Sequence, residues 1–229
     1  MSDISTLEKK IGLKFNDIKL IQKAFIHRSY LNENRKFSSS NERLEFLGDS
    51  ILSFLVSEYL YTQYPDISEG ELTNLRSSVV KTSTLASIAR NLDLGTFLLL
   101  SKGEEDGGGR DNPSILADTF EALLAVVFVD TGIENVRGIL NKFLYILIPQ
   151  IIKEKAYKDA KSVFQEIVQE EIRIPPVYKV LNEIGPDHAK KFTIGVFINN
   201  TLWGTGKGKS KQEAEMNAAV NAVEKWNKK

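Results

Sequence analysis

Two pairs of acidic residues, on two separate segments, carry the strongest chemical signal in this sequence. Glu45 and Asp49 stand four apart in "NERLEFLGDS" (41–50), and Asp118 and Glu121 stand three apart in "SILADTFEALL" (114–124). Apolar residues recur at helical spacing in both segments, so each pair shares one face of a helix. Like charges one turn apart destabilise a helix, and neither pair has a Lys or Arg one turn away on its own face. Two readings fit this pattern: the acidic stripes face water, or they converge on a divalent cation. In the second case the ligands are all oxygen, because the chain has no cysteine and only two histidines, His27 and His188. An all-oxygen donor set suits Mg²⁺ or Mn²⁺ and makes zinc improbable. A di-iron carboxylate bundle would need Glu-x-x-His on two helices, and neither Glu45 nor Glu121 has a histidine at that spacing.

Helical geometry places the neighbours of these acids. At about 100° per residue, Leu44, Leu47, Ile51, Phe54 and Leu55 share a core face, with Glu42, Glu45 and Asp49 clustered opposite. Glu42 has a second possible task, since Ser39 and Glu42 have capping-box spacing. Phe46 falls among the acids and away from the core. It is either covered by another part of the chain or buried in a partner, and self-association beside the acidic site is the sharper expectation. In the second segment, Leu116, Phe120, Leu123, Leu124 and Val127 make the core face. Asp118 and Glu121 lie opposite, flanked by Ala122 and Ala125.

The elements that must position these residues are helical up to about residue 150, with apolar periodicity over 17–30, 41–62, 69–91, 114–129 and 134–152. Ser68 with Glu71 has capping-box spacing, and Asn112-Pro113 marks a helix start with proline in its first turn. The tract "EEDGGGRDNPS" (104–114) reads as a polar, glycine-rich loop. After residue 160 the period changes. A helix over "AKSVFQEIVQEE" leads into three alternating segments, "PPVYKVLNEI", "KFTIGVFIN" and "TLWGTGKGK", and then an alanine-rich closing helix. The expected fold is thus an all-α N-terminal domain (1–152), a linker (153–159) and a small α+β module of order α-β-β-β-α (160–229).

Composition, with 42% hydrophobic and 26% charged residues, is that of an ordinary globular protein. The longest apolar run, 122–129, is far too short for a membrane span, and the charged start "MSDISTLEKK" lacks a signal core. The default expectations are a cytoplasmic location, no membrane and no organic cofactor. The net charge of zero hides an asymmetry: residues 1–155 hold 18 Lys+Arg against 21 Asp+Glu, and residues 156–229 hold 12 against 9.

These motifs resemble the ribonuclease III family. "NERLEFLGDSIL" is close to that family's signature, and "SILADTFEALLAVVFVDTG" (114–132) is similar to its second acidic motif. "HRSY" (27–30), "SEGELTNLRSSVV" (68–80) and the glycine-rich tract before Ser114 follow the family's order. "GPDHAKKF" and "GKGKSKQEAEMNAA" resemble its double-stranded-RNA-binding domain. Nearly the whole chain is covered, in the layout of the short bacterial form with one nuclease and one RNA-binding domain.

The resemblance implies that Glu45, Asp49, Asp118 and Glu121 hold metal, with Asp49 and Glu121 most critical for activity. Glu42 and Glu69 match supporting acids, although Glu42 also reads as a cap and Glu69 as an acid complementing a helix N-terminus. Phe46 matches a position in the family's homodimer. His27 is expected to be a buried, hydrogen-bonded structural histidine. The implied reaction is Mg²⁺-dependent hydrolysis of double-stranded RNA, with Mn²⁺ able to substitute, giving 5′-phosphate and 3′-hydroxyl ends with short 3′ overhangs. Processing of ribosomal RNA precursors and some mRNA and tRNA transcripts is the family expectation. No Ser/His or Cys/His arrangement offers a covalent nucleophile.

In the second domain, Gln165 and Glu166 are expected to reach 2′-hydroxyls along a minor groove, and His188 a second minor groove. Lys209 and Lys211 would grip phosphates at the start of the last helix. Where the family usually has two adjacent lysines, Lys211 is followed here by Gln212. A non-cleaving RNA-binding protein on a nuclease-like scaffold is the alternative, and the complete acidic quartet argues for the enzyme.

Overall fold

The computed structural model describes residues 3–34, 36–153, 160–186 and 190–227. The expected linker therefore lies outside the described residues except for Lys153, which ends a helix. Likewise His188 is outside them. The chain divides into two compact units, Met1–Lys155 and Ala156–Lys229.

The first unit is helical and is built around two long helices, α4 (Glu42–Gln63) and α8 (Pro113–Thr131). Around them lie α1 (Ile4–Ile11), α2 (Ile18–Ala24), α3 (Arg28–Glu33), α5 (Glu69–Val79), α6 (Thr82–Asn91), α7 (Lys102–Asp106), α9 (Ile133–Phe143) and α10 (Ile148–Lys153). Helix α8 starts at Pro113, with the Asn112 side chain accepting from the Ser114 amide. It is the unit's central element. Most of its own residues are buried, including Ala122 and Ala125 beside the acids, while Asp118 and Glu121 are half-buried.

The α4–α8 seam explains the core of α4. Its buried residues are Leu44, Gly48, Ile51, Leu52, Leu55, Val56 and Leu60. That stripe is rotated from the one expected: Leu47 is only half-buried and Phe54 is 60% exposed. Gly48 is the cause. A Cβ there would lie 1.9 Å from the Glu121 carbonyl oxygen, so only glycine lets the two helix backbones meet at this level. A glycine inside a helix costs about 1 kcal/mol relative to alanine, and close packing at the level of the acids offsets it.

Three expected helices are broken. The segment 17–30 separates into α2 and α3 because Ile26 pairs with Leu99 in an isolated parallel bridge: Leu99 N donates to Phe25 O (2.8 Å) and His27 N donates to Leu99 O (3.1 Å). The segment 69–91 breaks where Lys81 turns extended ahead of α6. The segment 134–152 breaks at Leu144, followed by a short 3₁₀ turn. The glycine-rich tract, expected as loop, overlaps α7 and a 3₁₀ turn at Gly109–Asp111. Ser101 caps α7, and Arg110 donates to the Gly95 and Leu98 carbonyls (both 2.9 Å), tying the tract down. The capping box Ser68–Glu71 forms. The one expected at Ser39 does not, because Asn41 precedes α4 and its side-chain amide donates to the Ala24 carbonyl instead.

The second unit has the order α11 (Ala160–Glu171), β1 (Val177–Ile184), β2 (Lys191–Ile198), β3 (Thr201–Gly208) and α12 (Lys211–Trp226). The sheet is antiparallel, ordered β1-β2-β3, with Tyr178 opposite Val196 and Thr193 opposite Lys207. Both helices contribute to one core of Phe164, Val168, Val196, Ile198, Ala218 and Ala222. The "GTGKG" pattern has a packing reason. Cβ atoms at Gly204, Gly206 and Gly208 would fall within 2.1–2.5 Å of the α12 backbone, so the alanine face of α12 lies directly on β3.

Candidate metal centre and nucleic-acid interface

The first turns of α4 and the start of α8 bring carboxylates together across the Gly48 seam. Oxygens of Glu45, Asp118 and Glu121 lie within 4.8 Å of one another, and all three residues are half-buried. Among the described residues no Lys, Arg or His forms an ion pair with any of them. The electrostatic result is strongest at Glu121, whose carboxyl is pushed up to about 8 by burial, and then by Asp49, Asp118 and Glu45. Glu45 is raised by burial and the neighbouring acids, and Asp118 by burial. A carboxyl that holds its proton near neutrality marks a place where positive charge is missing. Three oxygen donors of this kind fit a hard divalent cation. The expected fourth acid, Asp49, is exposed one turn after Glu45 and lies outside the trio, acting on it through its charge.

Beside the trio opens a cleft of about 380 Å³, whose walls include His27, Arg28, Glu42, Glu45, Glu104 and Asp118. The Glu42 side chain is exposed and accepts from Ser40 Oγ (2.6 Å), holding it at the cleft rim. Glu69 opens α5, is exposed, and is not among the cleft residues. His27 is half-buried rather than buried. Its Nδ1 accepts from the Ser29 amide (3.3 Å) and meets Ser29 Oγ (2.8 Å), capping α3. Burial lowers its pKa, and nearby acids, Glu104 first, oppose that shift. Sequence reasoning missed Arg28 and Glu104 as cleft residues, since contact with Leu99 and the order of the glycine-rich tract place them there.

Phe46 is 77% exposed, and Phe54 and Tyr61 continue the same face of α4 at 60% and 77%. In the second unit Gln165 is exposed and Glu166 half-buried on α11. Lys209 and Lys211 are exposed on either side of Ser210, which caps α12 by accepting from the Glu213 amide (3.1 Å). They have company that the sequence did not suggest. Lys191 and Lys207, on neighbouring strands, line a groove of about 290 Å³ with Lys209 and Phe192, and the Lys211 ammonium sits 5.8 Å from the Phe192 ring centre.

A helical unit with an oxygen-donor centre, in one chain with an α-β-β-β-α unit with a lysine-rimmed end, is the architecture of a two-domain nuclease, and comparison with known proteins agrees. Residues 17–148 match the "Ribonuclease-III-like" family model, and residues 160–225 match the "Double-stranded RNA binding motif". The chain is 46% identical to "Ribonuclease 3" of Pelotomaculum thermopropionicum, over 97% of this chain and 92% of that protein. It is 45% identical to the same-named protein of Caldanaerobacter subterraneus, over 97% of each. A crystal structure of the nuclease domain of ribonuclease III from Campylobacter jejuni is 38% identical, with a TM-score of 0.60, covering 66% of this chain and 99% of that one. The chain belongs to the ribonuclease III family. It is an enzyme of the nuclease type carrying a double-stranded-RNA-binding domain. Among the described residues no helix is long and apolar enough to cross a membrane.

Proposed function

We propose that this protein hydrolyses phosphodiester bonds of double-stranded RNA in a reaction that depends on Mg²⁺, or on Mn²⁺ in its place. The products would be 5′-phosphate and 3′-hydroxyl ends with short 3′ overhangs. The observation that carries the reading is the trio Glu45, Asp118 and Glu121, with no ion-paired cation among the described residues, in a chain with an RNA-binding module. The trio and Asp49 would hold the cation. When bound there, a divalent ion supplies Lewis acidity, lowering the pKa of water and stabilising charge on the phosphate and leaving oxygen. To serve as a ligand, Glu121 would have to give up to solvent the proton that burial and the neighbouring acids favour. Glu42, held by Ser40 at the rim, and the exposed Glu69 are supporting acids in substrate handling or the dimer. Domains at 1–152 and 160–229 about a linker at 153–159 divide these tasks. Gln165, Glu166 and His188 read the duplex by its minor groove, and Lys209 and Lys211 bind phosphates. Ribosomal RNA precursors and some mRNA and tRNA transcripts in the cytoplasm are the expected substrates.

A two-fold dimer suits a duplex whose strands are related by approximate two-fold symmetry. The exposed stripe Phe46, Phe54 and Tyr61 supplies the apolar surface, and a Campylobacter jejuni neighbour is described by a region involved in dimer formation of its nuclease domain. Light scattering tests this: Phe46→Ala should shift the protein toward monomer, and an unchanged dimer removes Phe46 from the interface.

The activity test is one gel. The unmodified protein should cut long duplex RNA with Mg²⁺, and Glu121→Gln should bind the RNA without cutting it. Intact RNA across a range of Mg²⁺ and Mn²⁺ would sink the nuclease reading.

A further inference from the structure

Among the described residues, Arg28 is the one Lys or Arg that lines the acidic cleft. It is exposed, and its charge lowers the proton affinity of both Glu45 and Asp118. Yet its side chain makes no ion pair or hydrogen bond among the described residues, so the five N–H donors of its guanidinium are unspent.

The backbone beneath this side chain is pinned from two directions. On one side the Asn41 amide donates to the Ile26 carbonyl (2.8 Å), tying the segment to the start of α4. On the other, Ser29 Oγ accepts from the Ser101 amide (3.0 Å), and the Glu33 carboxylate accepts from the Lys102 amide (3.1 Å). Arg28 therefore rises from a fixed ledge between α4 and α7. A long, unpaired side chain on a rigid base loses little backbone entropy on engaging a ligand.

The charge around it defines what that ligand is. Glu42, Glu45, Glu104 and Asp118 line the cleft, so an RNA strand entering there meets repulsion wherever the bound cation does not reach. A guanidinium presents parallel N–H groups that match two oxygens of one phosphate, which a compact ammonium cannot do. We propose that Arg28 is a substrate-positioning residue that binds non-bridging phosphate oxygens of the RNA strand in the cleft, beside the metal centre. This rests on the nuclease reading above. A competing role is purely electrostatic: Arg28 offsets the crowded acids and never touches RNA.

Full-length protein separates the two. With Glu121→Gln as background to prevent cutting, duplex RNA affinity is measured across salt concentrations for Arg28, Arg28→Gln and Arg28→Lys. Loss of one phosphate contact lowers the log–log salt slope by about one and weakens binding roughly fivefold at 0.15 M salt. Arg28→Lys keeps the charge and should restore the slope. An unchanged slope in Arg28→Gln overturns the proposal, as does an Arg28→Lys variant that regains the full affinity along with the slope. In the otherwise unmodified protein, Arg28→Gln should raise KM for RNA without lowering the Mg²⁺ concentration for half-maximal rate. A lower Mg²⁺ requirement with unaltered RNA binding assigns Arg28 to charge balance alone and also overturns the proposal. Failure of the unmodified protein to cut sinks the nuclease reading instead, and the salt slopes remain a separate measurement.

Discussion

The acidic cleft and the lysine-rimmed groove each gather like charges, but they hold them differently. In the first unit the carboxylates of Glu45, Asp118 and Glu121 are half-buried and converge within 4.8 Å. In the second, Lys191, Lys207, Lys209 and Lys211 are exposed around a groove at the sheet's end. Buried like charges repel with little screening, whereas exposed ones are damped by water and salt. The cleft thus stores unfavourable energy that a bound cation would relieve, and the groove stores far less. A diffuse polyanion bound by the groove would be held through several separate contacts. The first site should respond to substitution as all-or-none and the second by degrees.

The largest expected effect tests the first half of this contrast. Asp118→Asn removes one member of the converging trio and should lower the cleavage rate by about a thousandfold or more, in the range seen when a group stabilising transition-state charge is lost. Steady-state rates at saturating Mg²⁺ measure it. A loss of only a few fold would make the cleft as graded as the groove and break the comparison.

A smaller effect belongs to the second half. Lys209→Gln and Lys211→Gln should each lower the log–log salt slope for duplex RNA by about one, and the double variant by about two. Fluorescence anisotropy at several salt concentrations reads this directly. If either substitution alone abolished binding, the groove would be a convergent site like the cleft.

These expectations trace back to what could be read in the chain. Glu45, Asp118 and Glu121, which converge, were legible because like charges at helical spacing lacked a cation on their own faces, whereas Asp49, expected with them, lies outside the trio. The three strands were legible because alternation replaces helical periodicity after residue 160. What the periodicity could not express is long-range contact. Pairing of Phe25 and His27 with Leu99 breaks an apparent helix and sets His27 and Arg28 at the cleft. Packing of Gly48 against the Glu121 backbone rotates the core stripe of α4 and leaves Phe54 exposed. Glu104 sits in a tract whose glycines read as loop, and the order there depends on Arg110 reaching carbonyls at Gly95 and Leu98. Lys191 and Lys207 join Lys209 only through strand register.

The smallest expected effect concerns stability, and it tests whether the cleft is strained at all. Folded, the Glu121 carboxyl holds its proton up to about pH 8, while the ordinary value for a glutamate is 4.5. Between those values the folded protein binds a proton that the unfolded chain has lost, so stability falls as pH rises through that window. Below it both states are protonated and nothing is lost; above it the loss is complete. A glutamine side chain carries no titratable proton, so Glu121→Gln should melt near the unmodified protein at pH 4.5 and above it at pH 8 in the absence of divalent cations. The full difference would carry several kcal/mol, but solvent screening at this partly exposed carboxyl reduces it to about 1 kcal/mol, a gain of roughly 2–4 °C in a protein of this size. Millimolar Mg²⁺ should close the gap by stabilising the unmodified protein, because a ligand that binds only the folded state adds to stability. Calorimetry of the helical unit's transition at both pH values provides the measurement. An equal offset at pH 4.5 and pH 8 would trace the variant's stability to packing and remove charge repulsion as the property that sets the cleft apart from the groove.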